Sequence, residues 1–599
     1  MPQWLPYFEL ACVTAAGALW YIFPEAGPWP LILALPPWLA RLVWSGQLTR
    51  RTPFDLPLLL FLLTAGVGVW AAYDRTVAWR KFWLLLGAVL IFYALANAQA
   101  LGEARSWLLA AFGAGVALYS LATQDWQAYE VKIQVLYRLG RALQAPLPSW
   151  SGHRMNPNVA ASVLALMLPF GGLVTLQAWR QVRQAGPLRP RARWLRLIVA
   201  TGLLALILFA LLMTVSRAAW LAVAAALVVV GLWAMAGRLG QASGSSRAAA
   251  LFVLLGLGLI LLLAVGLFWP QTIAAALTSL PANSIASGRL ELLQRTVTLL
   301  GDYPLMGAGL GGFQMLYSTY ALLLHVGYAW HSHNLFFDVA LEQGFPGLLA
   351  LVSMWLVFAW IAWRALSQRE QHRAPGALAA AVVSLLILLL HGLVDDPLYS
   401  GRGVLLFFVP LAFAASVPIR RPARRRRPLA LPAALLVLLL LALLGRDPLL
   451  SLAFSNLGAI HQSQAELSVY AWPEWPVQDE VRRTVNLSEP VAEFERALAF
   501  NPRNGTANRR LGMIDLALGR YPAALQHLEA AYAVESKSMT TRQLFGEALI
   551  VNGRVEEGRA LWEDVSNDEN QLGIRAWWYG YIGETERAEW IEQAASDHR

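Results

Sequence analysis

The stretch LIVATGLLALILFALLMTVSRAAWLAVAAALVVVGLW, residues 197–233, carries a single charged residue, Arg217. On each side of that arginine lies an apolar run close to the length, about 20 residues, that an α-helix needs to cross a bilayer. Ser216 and Arg217 fall where the two runs meet. This stretch therefore predicts two membrane-spanning helices joined by a tight turn.

Composition extends the same interpretation to most of the chain. Of its 599 residues 57% are hydrophobic and only 14% are charged, and the mean hydropathy is +0.49. Soluble globular proteins carry about 25% charged residues, so a disordered, fibrous or ordinary cytosolic protein is excluded. We predict an all-α, polytopic membrane protein with about 12–13 spans. The candidate spans lie near residues 8–24, 29–45, 54–72, 79–97, 105–124, 157–177, 194–213, 218–236, 249–268, 335–363, 376–392, 403–418 and 429–444.

Charge divides the chain into two unlike parts near residue 445. The net charge of +10 combines +18 over residues 1–444 with −8 over residues 445–599. The basic excess stands in short runs between apolar stretches, where it orients membrane spans and does not indicate nucleic-acid binding. The single cysteine, Cys12, allows neither a disulfide framework nor a cysteine-based metal site.

The loops between spans predict the orientation of the chain, because basic residues concentrate on the cytoplasmic side. With a cytoplasmic N-terminus, 20 basic residues fall in inner loops and 11 in outer loops. The run 420–427 is the densest, whereas the outer loop with Arg75, Arg80 and Lys81 is a local exception. This topology places the long loop 269–334 and the acidic tail on the outer side.

The tail repeats itself at an offset of 34 residues. Leu511-Gly512 aligns with Phe545-Gly546, and Gly519-Arg520 aligns with Gly553-Arg554. This period resembles the tetratricopeptide repeat (TPR), an α-solenoid of helix hairpins that binds partners on a concave surface. The tail then docks a partner protein or glycan, or it only caps the membrane part. The expected parts are N-terminal spans in 1–200, a transmembrane core in 201–444 with the loop 269–334, a linker in 445–488 and the TPR-like domain in 489–599.

Two arginines stand out as candidate anion-binding residues. Ionisable groups at membrane depth are costly and are functional candidates by default. Arg217 has no carboxylate within a helical turn, and a guanidinium matches phosphate in a bidentate manner. Arg289 lies in the first turn of a predicted helix with Ser287 as its cap, where the amides favour anions. The alternatives are snorkelling of Arg217 to the interface and a solvated basic face for Arg289.

A histidine pair precedes the apolar helix that starts at Leu335, in the sequence HSHN, residues 331–334. The i, i+2 spacing of His331 and His333 does not fit a helical metal site, and no nearby cysteine or acidic ligand completes a set. We therefore predict no metal. A histidine here is a candidate general base, because its pKa lies near neutrality.

Acidic residues accompany the histidines. Asp338 and Glu342 follow one turn apart on one helical face, where they could orient these groups or simply stabilise the helix N-terminus. A second cluster of His391, Asp395, Asp396 and Arg402 falls in a short loop between later spans. A self-contained ion-pair network is the alternative to a catalytic role for that cluster.

Several motifs occur together in the middle of the chain. They are SRAAW at 216–220, GR at 288–289, PLMGAGLGGF at 304–313 and HN at 333–334, followed after nine residues by GFPG at 344–347. Together they resemble the O-antigen ligase and O-antigen polymerase family over about residues 200–400. The resemblance implies a multi-spanning transferase that uses undecaprenyl-diphosphate-linked glycans on the outer face of the bacterial cytoplasmic membrane. The TPR-like tail is not part of the family core.

The family resemblance also implies roles for individual residues. His333 would activate the acceptor hydroxyl, and Arg217 and Arg289 would bind the diphosphate without metal or cofactor. The late polar loop corresponds loosely to a further family site. The substrate-binding candidates are Ser216, His331, Asn334, Asp338, Asp395 and Arg402.

Other functions remain open at this stage. A ligase and a polymerase of the same family differ only in the acceptor, which is a lipid, a protein or another glycan. A solute transporter, such as a bicarbonate carrier, is the alternative from another class, although the candidate groups cluster at one face and no repeated halves are visible. An inactive membrane-anchored scaffold would leave Arg217 and His333 unexplained.

Overall fold

The structure, a computed structural model, describes residues 2–596 except for residues 3, 125, 127–132, 148–154, 185–189, 244–282, 322–328, 368–374, 397, 418–444, 471–476, 564 and 566–570. Within these bounds the chain is all-α and contains no strand. The apolar stretches near 249–268 and 429–444 and the basic run 420–427 lie outside the described residues.

Seven of the described helices are long and apolar enough to cross a membrane, and shorter apolar helices accompany them. The predicted all-α, polytopic fold is confirmed. The seven are Leu5–Ile22, Arg75–Asn97, Ala104–Thr123, Pro157–Arg183, Pro190–Met213, Arg217–Ser243 and Leu335–Ser367. The shorter helices are Leu31–Ser45, Asp55–Ala71, Pro375–Gly392 and the consecutive Arg402–Leu406 and Val409–Ala415, while Gln134–Gln144 is amphipathic.

Capping side chains fix where two of these helices begin. Asp74 accepts hydrogen bonds from the backbone N–H groups of Thr76 and Val77, and Asn156 accepts one from that of Asn158. Such side chains satisfy amides that a helix leaves unpaired at its start. Because the helix capped by Asp74 begins at Arg75, Lys81 lies inside it. The predicted topology counts Lys81 as an outer-loop residue.

Large apolar side chains cover the outside of the helical bundle. Val43, Leu221 and Leu356 are 81%, 67% and 66% exposed. Exposing a side chain of this kind to water costs about 1.5–3 kcal/mol relative to burying it. A surface built from many such residues is stable in lipid and not in water.

Polar contacts collect at the two ends of the bundle. At one end Glu9 pairs with Arg41, and Asn97 donates to the second carboxylate oxygen of Glu9 at 2.8 Å. At the other end Arg402 donates to the backbone carbonyl of Tyr21 at 2.7 Å. The predicted spans alternate in direction across the membrane. This alternation places the helix ends joined by these contacts on the same side.

A glycine divides the helix Leu335–Ser367 into two parts. Gly344 has φ 70° and ψ 176°, which is not helical. A Cβ atom there would lie 2.5 Å from the carbonyl oxygen of Leu305, so the close approach also requires glycine. We call residues 335–343 the HN helix. The kink lets this short helix take a direction of its own ahead of the spanning part.

The tail is a succession of helices, and short turns join the helices from Ser488–Phe500 through Val555–Trp562. Gly519 and Gly553 have φ 76° and 83° and stand 34 residues apart, as the repeat period predicts. Assignment of the tail to the TPR class stays a prediction. The helices are Ser488–Phe500, Gly505–Ala517, Tyr521–Glu535, Met539–Val551, Val555–Trp562, Gln571–Tyr581 and Thr585–Ser596.

The segment expected to be a linker, 445–488, contains two further helices, Arg446–Leu467 and Gln478–Thr484. We call the first of these the anchor helix, because it contacts both parts of the protein. Ser451 of the anchor helix donates to the carbonyl of Ala497 in the tail at 2.8 Å. Gln464 donates to the carbonyl of Ala71, the last residue of a membrane helix, at 3.2 Å. The tail is thus built onto one end of the bundle.

Candidate active site

Asn334 fixes the start of the HN helix. Its side-chain oxygen accepts hydrogen bonds from the backbone N–H groups of Phe336 and Phe337 at 3.0 and 3.2 Å. Its side-chain amide donates to the carbonyl of Leu393 at 3.2 Å. A helix-capping asparagine of this kind is common at helix starts. Asn334 therefore joins the HN helix to the loop that follows the helix Pro375–Gly392.

His333 stands beside this cap with its ring held by a buried carboxylate. Nδ1 of His333 donates to Oδ1 of Asp395 at 2.8 Å, and the two side chains are 31% and 3% exposed. Because an ionised carboxylate only accepts hydrogen bonds, Nδ1 carries the proton. In the neutral ring Nε2 is then an acceptor, which is the state that a general base requires.

The backbone at His333 adopts an uncommon conformation. Its φ is 57°, a region that costs energy for residues other than glycine. Its backbone N–H donates to Nδ1 of His331 at 3.2 Å, and the two rings lie 4.3 Å apart. The surrounding contacts hold the histidine in this geometry, which aims the ring at Asp395.

Asp395 remains ionised despite its burial. Burial raises the pKa of its carboxyl, but the hydrogen bond from His333 and the proximity of His331 and His391 lower it, and the net pKa lies below the usual value. Oδ1 also accepts the backbone N–H of Asp396 at 3.0 Å. The structure thus brings together His331, His333 and Asp395, which the sequence placed in two separate groups.

Asp396 and Asp338 form a buried acidic layer behind this pair. Asp338 accepts the backbone N–H of Ser332 at 2.8 Å. Asp396 accepts from the backbone N–H of Tyr399 at 3.1 Å and the hydroxyl of Ser400 at 2.8 Å. Burial and the nearby Asp338 carboxyl raise the pKa of Asp396 well above its usual range. These contacts fix the loop that supplies Asp395.

Glu342 makes a separate buried ion pair. Nζ of Lys81 lies 2.7 Å from its carboxylate and 3.9 Å from the centre of the Tyr399 ring. The backbone N–H of Gly311 donates to the same carboxylate at 2.9 Å. Lys81, absent from the sequence candidates, could have been found from its charge at membrane depth. It ties the N-terminal helices to the HN helix.

Ser216 and Arg217 lie at the start of a helix whose Ala219 and Ala222 pack in one cluster with Ile387, one turn before His391. They therefore belong to the end of the bundle that carries His391. Arg217 is exposed and makes no ion pair with another described residue. Ser216 is buried, and its hydroxyl has no hydrogen-bond partner in the part of the chain that the structure describes.

Val215, directly before this pair, has φ 53°. A β-branched residue rarely adopts that conformation. Among the described residues other than glycine, only Val215 and His333 have positive φ. Both of these strained positions adjoin predicted site residues, a pattern typical of functional sites.

The remaining candidates occupy different surroundings. Arg289 lies in the helix Asn283–Asp302, and its side chain is outside the described part. Arg402 is exposed at the Tyr21 carbonyl and does not join the His391 cluster. In the turn 304–313, Gly307 and Gly309 have φ 74° and 103°, and a Cβ atom on either would collide with neighbouring backbone. Gly307 lets the turn pack against Glu342 of the HN helix, and Gly309 lets it pack against the backbone of Ala72.

Three side chains of the site could also bind a metal ion. Ligand atoms of His331, His333 and Asp395 lie within 4.8 Å of one another. The sequence could not supply Asp395 as a third ligand, because it stands 62 residues beyond His333. An ion here would replace the hydrogen bond between His333 and Asp395. In the structure two of these atoms, Nδ1 of His333 and Oδ1 of Asp395, are joined by a hydrogen bond, an arrangement that also suits acid–base chemistry.

Part of the chain is similar to a known protein family. A family model described as O-antigen ligase matches residues 202–352. The match includes Arg217, Arg289 and His333, and it ends before Asp395 and the tail. No curated protein matches the chain. A transporter is not favoured by this match. The central quarter or so of the chain is therefore similar to the O-antigen ligase family.

Proposed function

We propose that the protein is a membrane glycosyltransferase of the O-antigen ligase type. It moves a glycan from an undecaprenyl-diphosphate carrier to an acceptor hydroxyl on the outer face of the bacterial cytoplasmic membrane. The observation that carries the proposal is the hydrogen bond between His333 and Asp395, 2.8 Å long, at the end of a region similar to O-antigen ligases.

His333 is the general base of the proposed reaction. Its Nε2 accepts the proton of the acceptor hydroxyl while the hydroxyl oxygen attacks the anomeric carbon of the donor sugar. Asp395 holds the required tautomer and stabilises the imidazolium that forms. Since Asp395 acts through His333, it is a positioning residue. No metal or cofactor takes part in the proposed step.

Arg217 and Arg289 bind the diphosphate. As the bond from the acceptor oxygen to the anomeric carbon forms, the bond from that carbon to the diphosphate oxygen breaks, and the diphosphate leaves with the electron pair. Two guanidinium groups stabilise the developing negative charge. The exposed position of Arg217 leaves it available to such a headgroup. Direct displacement predicts inversion at the anomeric carbon.

The remaining candidates are assigned to substrate binding or to holding the site together. Ser216, with its buried and unpartnered hydroxyl, and His331, beside the general base, bind substrate. The described contacts of Asn334, Asp338 and Arg402 are with protein groups, so a contact with substrate would add to these.

We favour a ligase over a polymerase of the same family. The large helical tail lies at the same end of the bundle as the proposed site, which suits a reaction with a second macromolecule. The acceptor is then a lipid such as lipopolysaccharide core, or a protein, and a polymerase would extend another glycan. The N-terminus lies in the cytoplasm and the tail outside in this proposal. A C-terminal tag that resists external protease in spheroplasts would contradict that orientation.

The proposal is tested by surface glycan on intact cells. A strain that lacks the chain is complemented with His333→Ala, Arg217→Ala or Arg289→Ala, and each variant is quantified in the membrane. We expect glycan to be lost in all three, with lipid-linked polymer accumulating for a ligase and single repeat units for a polymerase. Wild-type glycan in all three variants would overturn the transferase.

A further inference from the structure

Asp302 ends the helix that carries Arg289, and it is completely buried against the tail. Its carboxylate pairs with Arg509 on one oxygen and with Arg510 on the other, the latter at 2.9 and 2.7 Å. Both arginines lie in the tail helix Gly505–Ala517. A buried carboxylate between two guanidinium groups holds its helix firmly against the tail. Removal of either partner would leave a buried charge unpaired, which is costly.

One face of the same helix continues the contact with the tail. We call Asn283–Asp302 the loop helix. Residues 295, 298 and 302 stand at i, i+3 and i+7, which is one side of a helix. Arg295 donates to Gln543 at 3.1 Å, and the hydroxyls of Thr298 and Ser538 lie 3.1 Å apart.

The backbone that follows the loop helix is held by the anchor helix. The hydroxyl of Tyr303 lies 2.5 Å from that of Ser463. The side-chain oxygen of Asn456 accepts the backbone N–H groups of Leu305 and Met306 at 3.0 and 2.9 Å. An asparagine that pairs with two consecutive amides fixes both the position and the direction of the chain there.

The same backbone then contacts the HN helix directly. The N–H of Ala308 donates to the carbonyl of Leu341 at 2.6 Å, and that of Phe345 donates to the carbonyl of Pro304 at 2.8 Å. Main-chain hydrogen bonds thus join residues 304–308 to the HN helix and to the kink that ends it, while side chains of the anchor helix hold the same residues from the other side. Both ends of the proposed site, Arg289 and His333, belong to elements in this connected set.

We propose that the tail is an internal clamp whose partner is the loop helix of its own chain, and that Asp302 is a positioning residue for donor binding. The surface formed by the helices Gly505–Ala517 and Met539–Val551 is occupied by the loop helix. The sequence-based expectation that the tail docks a separate partner does not apply to this surface. The inference rests on the proposed function for its effect on the donor, and the clamp itself rests on contacts alone.

Donor affinity is the property that the clamp controls. The loop helix carries Arg289, so its release moves one of the two proposed diphosphate ligands. Asp302→Asn keeps the shape of the side chain and removes the charge that two arginines require. We expect a rise of at least tenfold in KM for the donor, with a smaller effect on kcat, because His333 and Asp395 stay in place. The matched control is Glu557→Gln, since Glu557 pairs with Arg554 on the exposed side of the same domain.

A disulfide separates positioning from general loss of structure. Cys12 is the only cysteine, so Cys12→Ala gives a background in which Thr298→Cys and Ser538→Cys can pair only with each other. In the full-length protein in native membrane vesicles, we expect high disulfide yield and unchanged transfer after oxidation. The donor substrate is undecaprenyl-diphosphate-linked oligosaccharide purified from the same cells. Transfer is measured as the release of undecaprenyl diphosphate.

The decisive variant combines Asp302→Asn with the two cysteines. When it is reduced, we expect the elevated KM, and when it is oxidised, a KM within about threefold of the background, because the disulfide returns the loop helix to the tail. A KM that is unchanged by Asp302→Asn, or that oxidation does not restore, would overturn the positioning role. Low disulfide yield would overturn the clamp. Absence of transfer by the unmodified chain would instead count against the proposed function, while disulfide yield would still judge the clamp.

Discussion

Nδ1 of His333 and Oδ1 of Asp395 lie 2.8 Å apart, although 62 residues separate them in the chain. The histidine precedes one apolar helix, and the aspartate follows another. The hydrogen bond forms because Asn334 caps the first helix and also donates to Leu393, two residues before the aspartate. The pair of His333 and Asp395 is therefore a product of how two helix ends are joined.

Asp395→Asn tests this pair. An asparagine can donate a hydrogen bond to Nδ1 of His333 as well as accept one from it. The imidazole ring then loses its preferred tautomer, and its Nε2 becomes less basic. We expect kcat to fall about 100-fold, within the range of general-base contributions, while the donor KM changes little. Steady-state transfer in membrane vesicles measures both constants. Wild-type kcat in this variant would remove Asp395 from the mechanism.

Acidic pH should weaken the tail through Asp479. Burial raises the pKa of this carboxyl, but Arg575 and Arg482 lower it, and the net pKa lies below the usual value. A depressed folded-state pKa means that the unfolded chain binds the proton first. Its contribution to stability is therefore complete above the ordinary aspartate pKa of about 4 and is lost as pH falls through the folded-state value.

The measurement is thermal unfolding of the purified protein between pH 7 and pH 2. Asp479→Asn is expected to unfold at a lower temperature than wild type at pH 7. The difference between the two unfolding temperatures should narrow as pH falls below about 4. Glu557→Gln, in an exposed pair, serves as the control. A gap that stays constant with pH would show that Asp479 titrates alike in the folded and unfolded chain.

Lys81 and Glu342 should couple strongly. Lys81→Met leaves a buried carboxylate without its cation, which costs roughly 3–5 kcal/mol. Lys81→Met with Glu342→Leu removes both charges and should recover much of that loss. Unfolding of the single and double variants in detergent gives the coupling energy. Equal stability of the single and double variants would mean that the pair is not a unit.

The helices were predictable because apolar runs of spanning length leave few other solutions. The predicted span starting at 157 and that starting at 335 begin at the observed Pro157 and Leu335. Proline, capping asparagine and the end of each apolar run mark such positions locally. The all-α membrane fold follows from the same residues.

Pairs from distant segments were not predictable. Asp395 was grouped with Arg402 because the two are close in sequence, yet its partner is His333, and Arg402 meets Tyr21. Lys81 counted only as an exception to the charge rule, and its partner Glu342 lies 261 residues away. No local signal in a single sequence specifies which buried charges will meet.

Gly344→Ala should be among the most damaging small substitutions in the bundle. The residue has φ 70°, and a Cβ would lie 2.5 Å from the Leu305 carbonyl oxygen. Strained backbone costs about 1–3 kcal/mol before the steric clash is added. Gly202→Ala is the control, because a Cβ at Gly202 meets nothing within 4 Å. We expect Gly202→Ala to unfold at or above the wild-type temperature, and equal effects of the two substitutions would contradict the proposed reason.

Arg217→Lys separates function from stability. The side chain is exposed and forms no ion pair within the described part of the chain, so its replacement should leave the unfolding temperature unchanged. Lysine keeps the charge but loses the fork that matches phosphate oxygens. We expect the donor KM to rise about tenfold, equivalent to about 1.4 kcal/mol of binding. Arg503→Lys, at an exposed position in the tail, is the control. A lower unfolding temperature for Arg217→Lys would indicate a structural role, and an unchanged KM would remove Arg217 from the diphosphate site.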